Sequence, residues 1–268
     1  MAEPLQGELI TTATLAIDLK RLGIEEGASL LVHSSLKSLG GWAPGGATTV
    51  VLALQAAIGD EGTLVMPAHS SDLTDPEGWQ NPPVKEEWWE PIRETMPPFD
   101  PDFTPTRMMG AIVECFRTQR EAVRSMHPHV SFAAWGKHKK WVTDRHSLAW
   151  SLGEASPLAR WYELDGWVLL IGVGHANNTS LHLSEYRASY ATKKTITNRG
   201  PLTIEGVRQW VSYDDIALDS EDFESIGAAF EQQTGLVRRG LIAGAEAMLM
   251  PQRALVDFGV KWMEQNRE

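Results

Sequence analysis

Apolar residues recur along Thr11–Leu22, at Leu15, Ile17, Leu19 and Leu22, and Gly23 closes the stretch. That spacing predicts an amphipathic helix with a glycine stop. Ser29-Leu-Leu-Val-His33 is an unbroken apolar run, Thr48–Ile58 is a second helical stretch, and Thr63-Leu-Val-Met66 is another short run stopped by Pro67. Apolar runs without alternation are the mark of strands buried on both faces, so the order predicts a parallel α/β unit. Residues 68 to about 104 break the rhythm with Pro, Trp, Asp and Glu. A connection this long is either functional or a surface excursion anchored by Trp88 and Trp89.

A helix is expected to open at Thr104-Pro-Thr-Arg107 and run to about Thr118, since proline suits a first helical turn and threonine a cap. Val130–Trp135 reads as a strand, and Lys137–Arg145 and Ser156–Leu164 as short helices. Trp167–Val173 is a buried strand that crosses a Gly- and Asn-rich turn into a helix starting at Thr179 or Ser180. Lys193–Asn198, Gly206–Tyr213 and Leu236–Met250 read as an antiparallel extension, with a helix at Ser220–Gln232 between them and a last helix from Pro251 to Glu268. The expected fold is a single α/β domain over residues 1–268: a mixed sheet flanked by helices, with an antiparallel extension in its C-terminal third.

Composition narrows the function. The 268 residues are 43% hydrophobic and 22% charged, as in ordinary soluble proteins, and carry a formal net charge of −11. That charge repels phosphate backbones and speaks against a nucleic-acid partner, while it suits a cationic small molecule. A lone cysteine, Cys115, excludes an intramolecular disulfide and reads as a buried structural thiol. Met1–Gln6 lacks a charged start with an apolar core, and no stretch is long enough to span a bilayer, so a cytoplasmic protein, monomer or homodimer, is expected.

Candidate chemistry gathers after the strands. His182 falls on the first turn of a helix beyond a core strand, where open α/β sheets place their sites. Glu185 lies three residues on and shares its helix face, so it can orient the imidazole. An ordinary half-buried histidine is the competing reading. The loop His33-Ser34-Ser35 follows a strand and can hold an anion or a polar chain with hydroxyls and backbone N–H groups. It has neither a P-loop lysine nor Gly-x-Gly-x-x-Gly. Thr106-Arg107 and Arg124-Ser125 are further cationic spots. No Gly-x-Ser-x-Gly elbow or His-Glu-x-x-His is present, and His127, His129, His175, His182, Asp72 and Asp75 do not match a compact zinc spacing. A metal-dependent hydrolase built on His127, His129, His175 and Asp72 is the rival reading, and a non-catalytic binding module is a third.

Five segments in order then carry a resemblance: Leu31–Ser38, Gly62–Pro67, Thr104–Gly110, Arg124–Pro128 with Ser131–Ala134, and Leu169–Gly174 with Asn178–Glu185. Together they resemble the aminoglycoside 3-N-acetyltransferases, the antibiotic N-acetyltransferases distinct from the GNAT fold, over about Leu15 to Phe258. The resemblance implies acetyl transfer from acetyl-CoA, with no metal, to the 3-amino group of a deoxystreptamine ring. It implies that CoA lies across His33, Ser34, Ser35, Leu36, Lys37 and Ser38 and across Thr106, Arg107, Met108 and Gly110. It implies that His182 is the base, with Glu185 in support. The thioester oxygen gathers charge in the transition state and needs fixed donors, which backbone N–H groups or a hydroxyl of the His33-Ser-Ser loop, or Thr179, are expected to supply. Lys37, Arg107 and Arg124 are the cations available to an anionic donor. Asp72 and Asp75 occupy the region that holds the cationic acceptor. Many members carry a Trp-rich stretch with two adjacent acids there, whereas this chain has His69-Ser-Ser-Asp-Leu-Thr-Asp75, which leaves the acceptor amine open.

Overall fold

A computed structural model describes residues 7–268; Met1–Gln6, on which the absence of a leader was read, lie outside the described residues. The strands are β1 (Ser29–Ser34), β2 (Thr63–Pro67), β3 (Val123–Arg124), β4 (Phe132–Gly136), β5 (Trp167–Ile171), β6 (Thr195–Ile204), β7 (Val207–Ile216), β8 (Arg238–Ile242) and β9 (Ala245–Pro251). The helices are α1 (Thr12–Arg21), α2 (Ala47–Ile58), α3 (Trp89–Thr95), α4 (Gly110–Arg117), α5 (Lys139–Thr143), α6 (Pro157–Glu163), α7 (Ser180–Arg187), α8 (Phe223–Thr234) and α9 (Gln252–Asn266). Seven strands form one sheet in the order β3-β4-β2-β1-β5-β9-β8.

The three apolar runs of the sequence form the middle of that sheet: β1 pairs in parallel with β2 on one side and β5 on the other. They are buried on both faces because successive side chains alternate between two helical layers. Leu30 and Val32 pack among residues of α1, α2 and α4, while Leu31 packs with Trp161 of α6 and Leu183 of α7. In β5, Leu169 and Ile171 join the first layer; Val168 and Leu170 meet α8 and α9.

The flanks make the sheet mixed, as expected, and fix directions and partners that the sequence leaves open. β4 runs antiparallel to β2, so the sheet is mixed on that side too. The antiparallel extension divides in two. β8 and β9 form a hairpin whose β9 pairs antiparallel with β5 and so enlarges the central sheet. β6 and β7 form a separate two-stranded sheet. Residues 68–104 are neither a loose excursion nor anchored by Trp88, which is 51% exposed. They pack on the β6–β7 hairpin instead, through Phe99 N donating to Pro201 O (3.0 Å) and the Arg208 guanidinium donating to Met96 O (2.9 Å) and Arg93 O. The helix expected from Thr104 begins only at Gly110, because Met108 and Gly110 both take positive φ (59° and 86°). Among the described residues no helix is long and apolar enough to cross a membrane.

Candidate active site

The carboxyl ends of the adjacent strands β2, β1 and β5 deliver Ala68-His69, His33-Ser34 and Gly172 to one edge of the sheet, and α7 starts close behind β5. Gly172 is required there: its φ is +63°, and a Cβ would lie 2.2 Å from Cβ of Ser38. Ser38 Oγ donates to Gly172 O (3.0 Å), so this serine ties the two loops together rather than lining the cleft between them. α7 starts at Ser180, as the sequence predicts, but its cap is a different residue. Asn178, rather than Thr179 or Ser180, accepts from a free backbone N–H, that of Ser180 (3.3 Å).

His182 stands on the first turn of α7 with its ring against Phe223, centroids 4.8 Å apart. Nδ1 lies 2.5 Å from Oε2 of Glu185. Glu185 is fully buried, and its other oxygen accepts from Arg267 Nη1 (2.7 Å) and from Asp219 N (2.9 Å). A carboxylate so buried persists only with partners of this kind. Accepting from a guanidinium and a backbone N–H, it is ionised, so His182 donates its Nδ1 proton to it. The free lone pair is then on Nε2, which makes no hydrogen bond among the described residues. Sequence spacing identified the His182–Glu185 pair, but Arg267, 82 residues beyond Glu185, left no local signal.

A cleft of about 360 Å³ opens between the loop after β1, the start of α4 and the turn before α7. His33, Ser34, Ser35, Leu36 and Lys37 line one side, Met108 and Gly110 another, and Thr179 with Asn177 a third. Thr106 and Arg107 stand outside this lining. Thr106 gives both N–H and Oγ1–H to Glu114 Oε2 (3.1 and 2.9 Å), and Arg107 pairs with Asp72 at 3.3 Å. Arg124 is also withdrawn. It is buried and donates to Thr104 O (2.5 Å), Ala68 O (2.6 Å) and Ser131 Oγ (2.9 Å), while burial lowers its guanidinium to about 10. It braces the backbone behind the site, and among the described residues Lys37 remains as the cation at the cleft.

The two expected acceptor carboxylates part company. Asp72 keeps 64% of its side chain exposed beside Arg107. Asp75 is spent within the fold: Arg93 grips it at 2.7 and 3.1 Å, Glu77 N donates to it at 3.1 Å, and Arg199 stands 3.7 Å away. Burial raises the Asp75 carboxyl, but the bonds from Arg93 and Glu77 outweigh it and hold it below the usual range.

The four residues of the hydrolase reading are not gathered. His127 accepts two backbone N–H groups at Nδ1 and faces Leu148 O with Nε2; His129 bridges Tyr213 OH and Leu73 O. His175 is pressed against Gly227 of α8, where a Cβ would come within 2.1 Å of its ring, and it shapes the turn before α7. Among the described residues, no three His, Cys, Asp or Glu side chains are grouped to hold a metal ion.

Burial leaves an acid-labile signature. It is the main cause that lowers His33 and His69 to about 3, His129 and His146 to about 4, and His127 well below its ordinary value. These imidazoles fold neutral, whereas the unfolded chain binds protons at them from about pH 6.5 downward. Stability is therefore complete above pH 6.5 and declines continuously toward pH 4. Thermal melts should lose several degrees between pH 7 and pH 5, before carboxylates such as Glu114, held at about 2, begin to titrate. A melting temperature constant across that interval would contradict the neutral histidine core.

A family model described as aminoglycoside 3-N-acetyltransferase matches residues 31–264. The chain is 45% identical over 258 residues to the SPbeta prophage-derived aminoglycoside N(3')-acetyltransferase-like protein YokD of Bacillus subtilis (strain 168), covering 96% of this chain and 93% of that one. It is 33% identical to aminoglycoside N(3)-acetyltransferase VII of Streptomyces paromomycinus, over 96% and 92% of the two chains. The crystal structure of YokD superposes with a TM-score of 0.94 at 43% identity, covering 97% of this chain and 96% of that one. A binary complex of AAC-IIIb with CoASH superposes at 0.86 (31% identity, 97% and 98% covered), and AAC-VIa bound to sisomicin at 0.87 (30% identity, 97% and 99% covered).

Proposed function

The chain belongs to the aminoglycoside 3-N-acetyltransferase family, and on that premise we propose that it transfers acetyl from acetyl-CoA to the 3-amino group of an aminoglycoside, with His182 as general base. The observation that carries this reading is the 2.5 Å contact from Nδ1 of His182 to a buried, ionised Glu185, which leaves Nε2 as a lone pair.

An ammonium has no lone pair for attack, so the acceptor reacts as the free amine. As its nitrogen bonds to the thioester carbon, His182 Nε2 takes the proton that nitrogen sheds, and the carbonyl pair moves onto oxygen. When carbon–sulfur cleavage restores the carbonyl, His182 returns the proton to the departing sulfur. Glu185 stabilises the transient imidazolium, and Arg267 holds Glu185 in place. The cleft suits the donor: apolar Leu36 and Met108 offer walls to a pantetheine arm, Lys37 a charge for its phosphates, and Ser34 a buried Oγ that lacks a partner among the described residues.

Thiol release from acetyl-CoA, measured against a panel of aminoglycosides and simple primary amines, tests the proposal. Release with no amine in the panel would overturn it. A different, less cationic amine is the second reading, and one observation favours it: Asp75 is already neutralised by Arg93 and Arg199. Asp72 is the remaining candidate for the acceptor ammonium. An exposed ion pair contributes up to about 1 kcal/mol, so Asp72→Asn should raise the acceptor KM about 2- to 5-fold. The KM of acetyl-CoA should move less, and an equal change in both would remove the role. Asp75→Asn, by contrast, should act on stability through Arg93.

A further inference from the structure

We infer that the imidazole of His33 is itself catalytic, donating its Nε2–H to the thioester oxygen as that oxygen gathers charge; this rests on the acetyl transfer proposed above. The buried histidines of the molecule differ in one respect. His127, His129 and His146 have both ring nitrogens engaged, His146 by Ser125 Oγ (2.9 Å) and Ser151 O (2.6 Å). His33 is only 8% exposed, yet its Nε2 is buried with no partner among the described residues. Leaving such a group unpaired is unfavourable, a cost removed when a ligand supplies the partner. His69 and His175 also have an orphaned Nε2, but neither lines the cleft, whereas His33 does.

The strand holds the ring firmly. His33 lies opposite Leu170 of β5 in the central parallel pair, one residue from the strand end. Nearby alternatives for the oxygen are fewer than the loop sequence suggests: Ser35 N donates to Ile171 O (2.9 Å) and Ser38 Oγ to Gly172 O. A thioester carbonyl only accepts hydrogen bonds, so the tautomer that meets it carries its proton on Nε2. Burial, and after it the charge of His182, keeps His33 neutral, with its protonation lowered to about 3. It therefore donates a hydrogen bond without competing for the acceptor's proton. The amine pair forms the carbon–nitrogen bond, the carbonyl pair goes to the oxygen facing His33, and the amine proton goes to His182. Carbon–sulfur cleavage then restores the carbonyl, and the sulfur takes the proton from His182 to give free CoA thiol and the N-acetyl amine. The His33 proton is never transferred.

His33→Ala and His33→Gln, made in the full chain, separate this role from binding and from folding. Turnover is read by thiol release and CoA affinity by calorimetry. Loss of one oxyanion donor lowers kcat about 10²- to 10³-fold, and that is expected of His33→Ala, with the Kd of CoA within about twofold of wild type. Glutamine restores an N–H donor and should recover at least about tenfold of the loss, which a structural role at the strand end would not produce. A pH–rate profile of His33→Gln with unchanged limbs is also expected, since the base is His182. The inference is overturned if kcat of the folded Gln variant is no better than that of Ala. It is likewise overturned if His33→Ala keeps kcat, or if the loss falls on CoA affinity alone. Wild-type protein that releases no thiol with any amine would instead overturn the transferase reading, and this one with it.

Discussion

His182→Ala should lower acetyl transfer by about 10²- to 10⁴-fold, the usual contribution of a positioned base, while the Kd for CoA stays within about twofold. The second half follows from the architecture: the cleft is lined from the β1 loop, the α4 start and the turn before α7, and His182 is not among its lining residues. The first half follows because the neighbours among the described residues cannot take over. Glu185 is fully buried and already accepts from Arg267 and Asp219 N. His33 and His69 lie close enough to feel the charge of His182, but with protonation lowered to about 3 they are far weaker bases than an ordinary imidazole. Phe223 packs on the ring and offers no polar group. Thiol release under saturating acetyl-CoA and acceptor measures the loss. Turnover within about threefold of wild type would end the case for His182 as the base.

Which parts of this site could be read from sequence depended on how local their cause was. β1, β2 and β5 were legible because burial on both faces writes an unbroken apolar run, and the His182–Glu185 pair because three residues along a helix is one face. Strand order was not. That β9 pairs with β5 and β4 runs against β2 depends on contacts between distant segments with no periodic trace. Thr104-Pro-Thr106 has the composition of a helix start, yet Thr106 spends its donors on Glu114 and the backbone turns through positive φ at Met108. The aspartates after Pro67 were equivalent as letters, and Arg93 on α3, with Arg199 and Glu77 N, distinguishes Asp75 from Asp72. The orphaned Nε2 of His33 is likewise a property of surroundings, invisible in the string His-Ser-Ser.

Glu185→Gln is expected to cost nearly as much activity as removing the histidine, for a reason the hydrogen-bond geometry dictates. One side-chain oxygen of Glu185 faces two donors, Arg267 Nη1 at 2.7 Å and Asp219 N at 2.9 Å, and the other faces Nδ1 of His182. A glutamine must turn its carbonyl toward the two donors, so its NH₂ points at Nδ1. Nδ1 then accepts, the imidazole proton moves to Nε2, and the lone pair that receives the amine proton is gone. Wrong-tautomer variants of carboxylate–histidine pairs lose on the order of 10⁴ in kcat, and a loss of about 10³- to 10⁴-fold is expected here with CoA affinity preserved. Glu185→Ala should lose the same activity and more stability. It strips Arg267, itself only 9% exposed, of one of two carboxylate partners, and breaking a buried pair costs about 3–5 kcal/mol, moderated here because Asp222 still holds the guanidinium at 2.6 Å. Kinetics and thermal melts on the two variants separate the effects. Glutamine should melt near wild type and be nearly inactive, whereas alanine should fail on both counts. A glutamine variant that keeps more than about a tenth of wild-type kcat would show that Glu185 anchors Arg267 without setting the tautomer of His182.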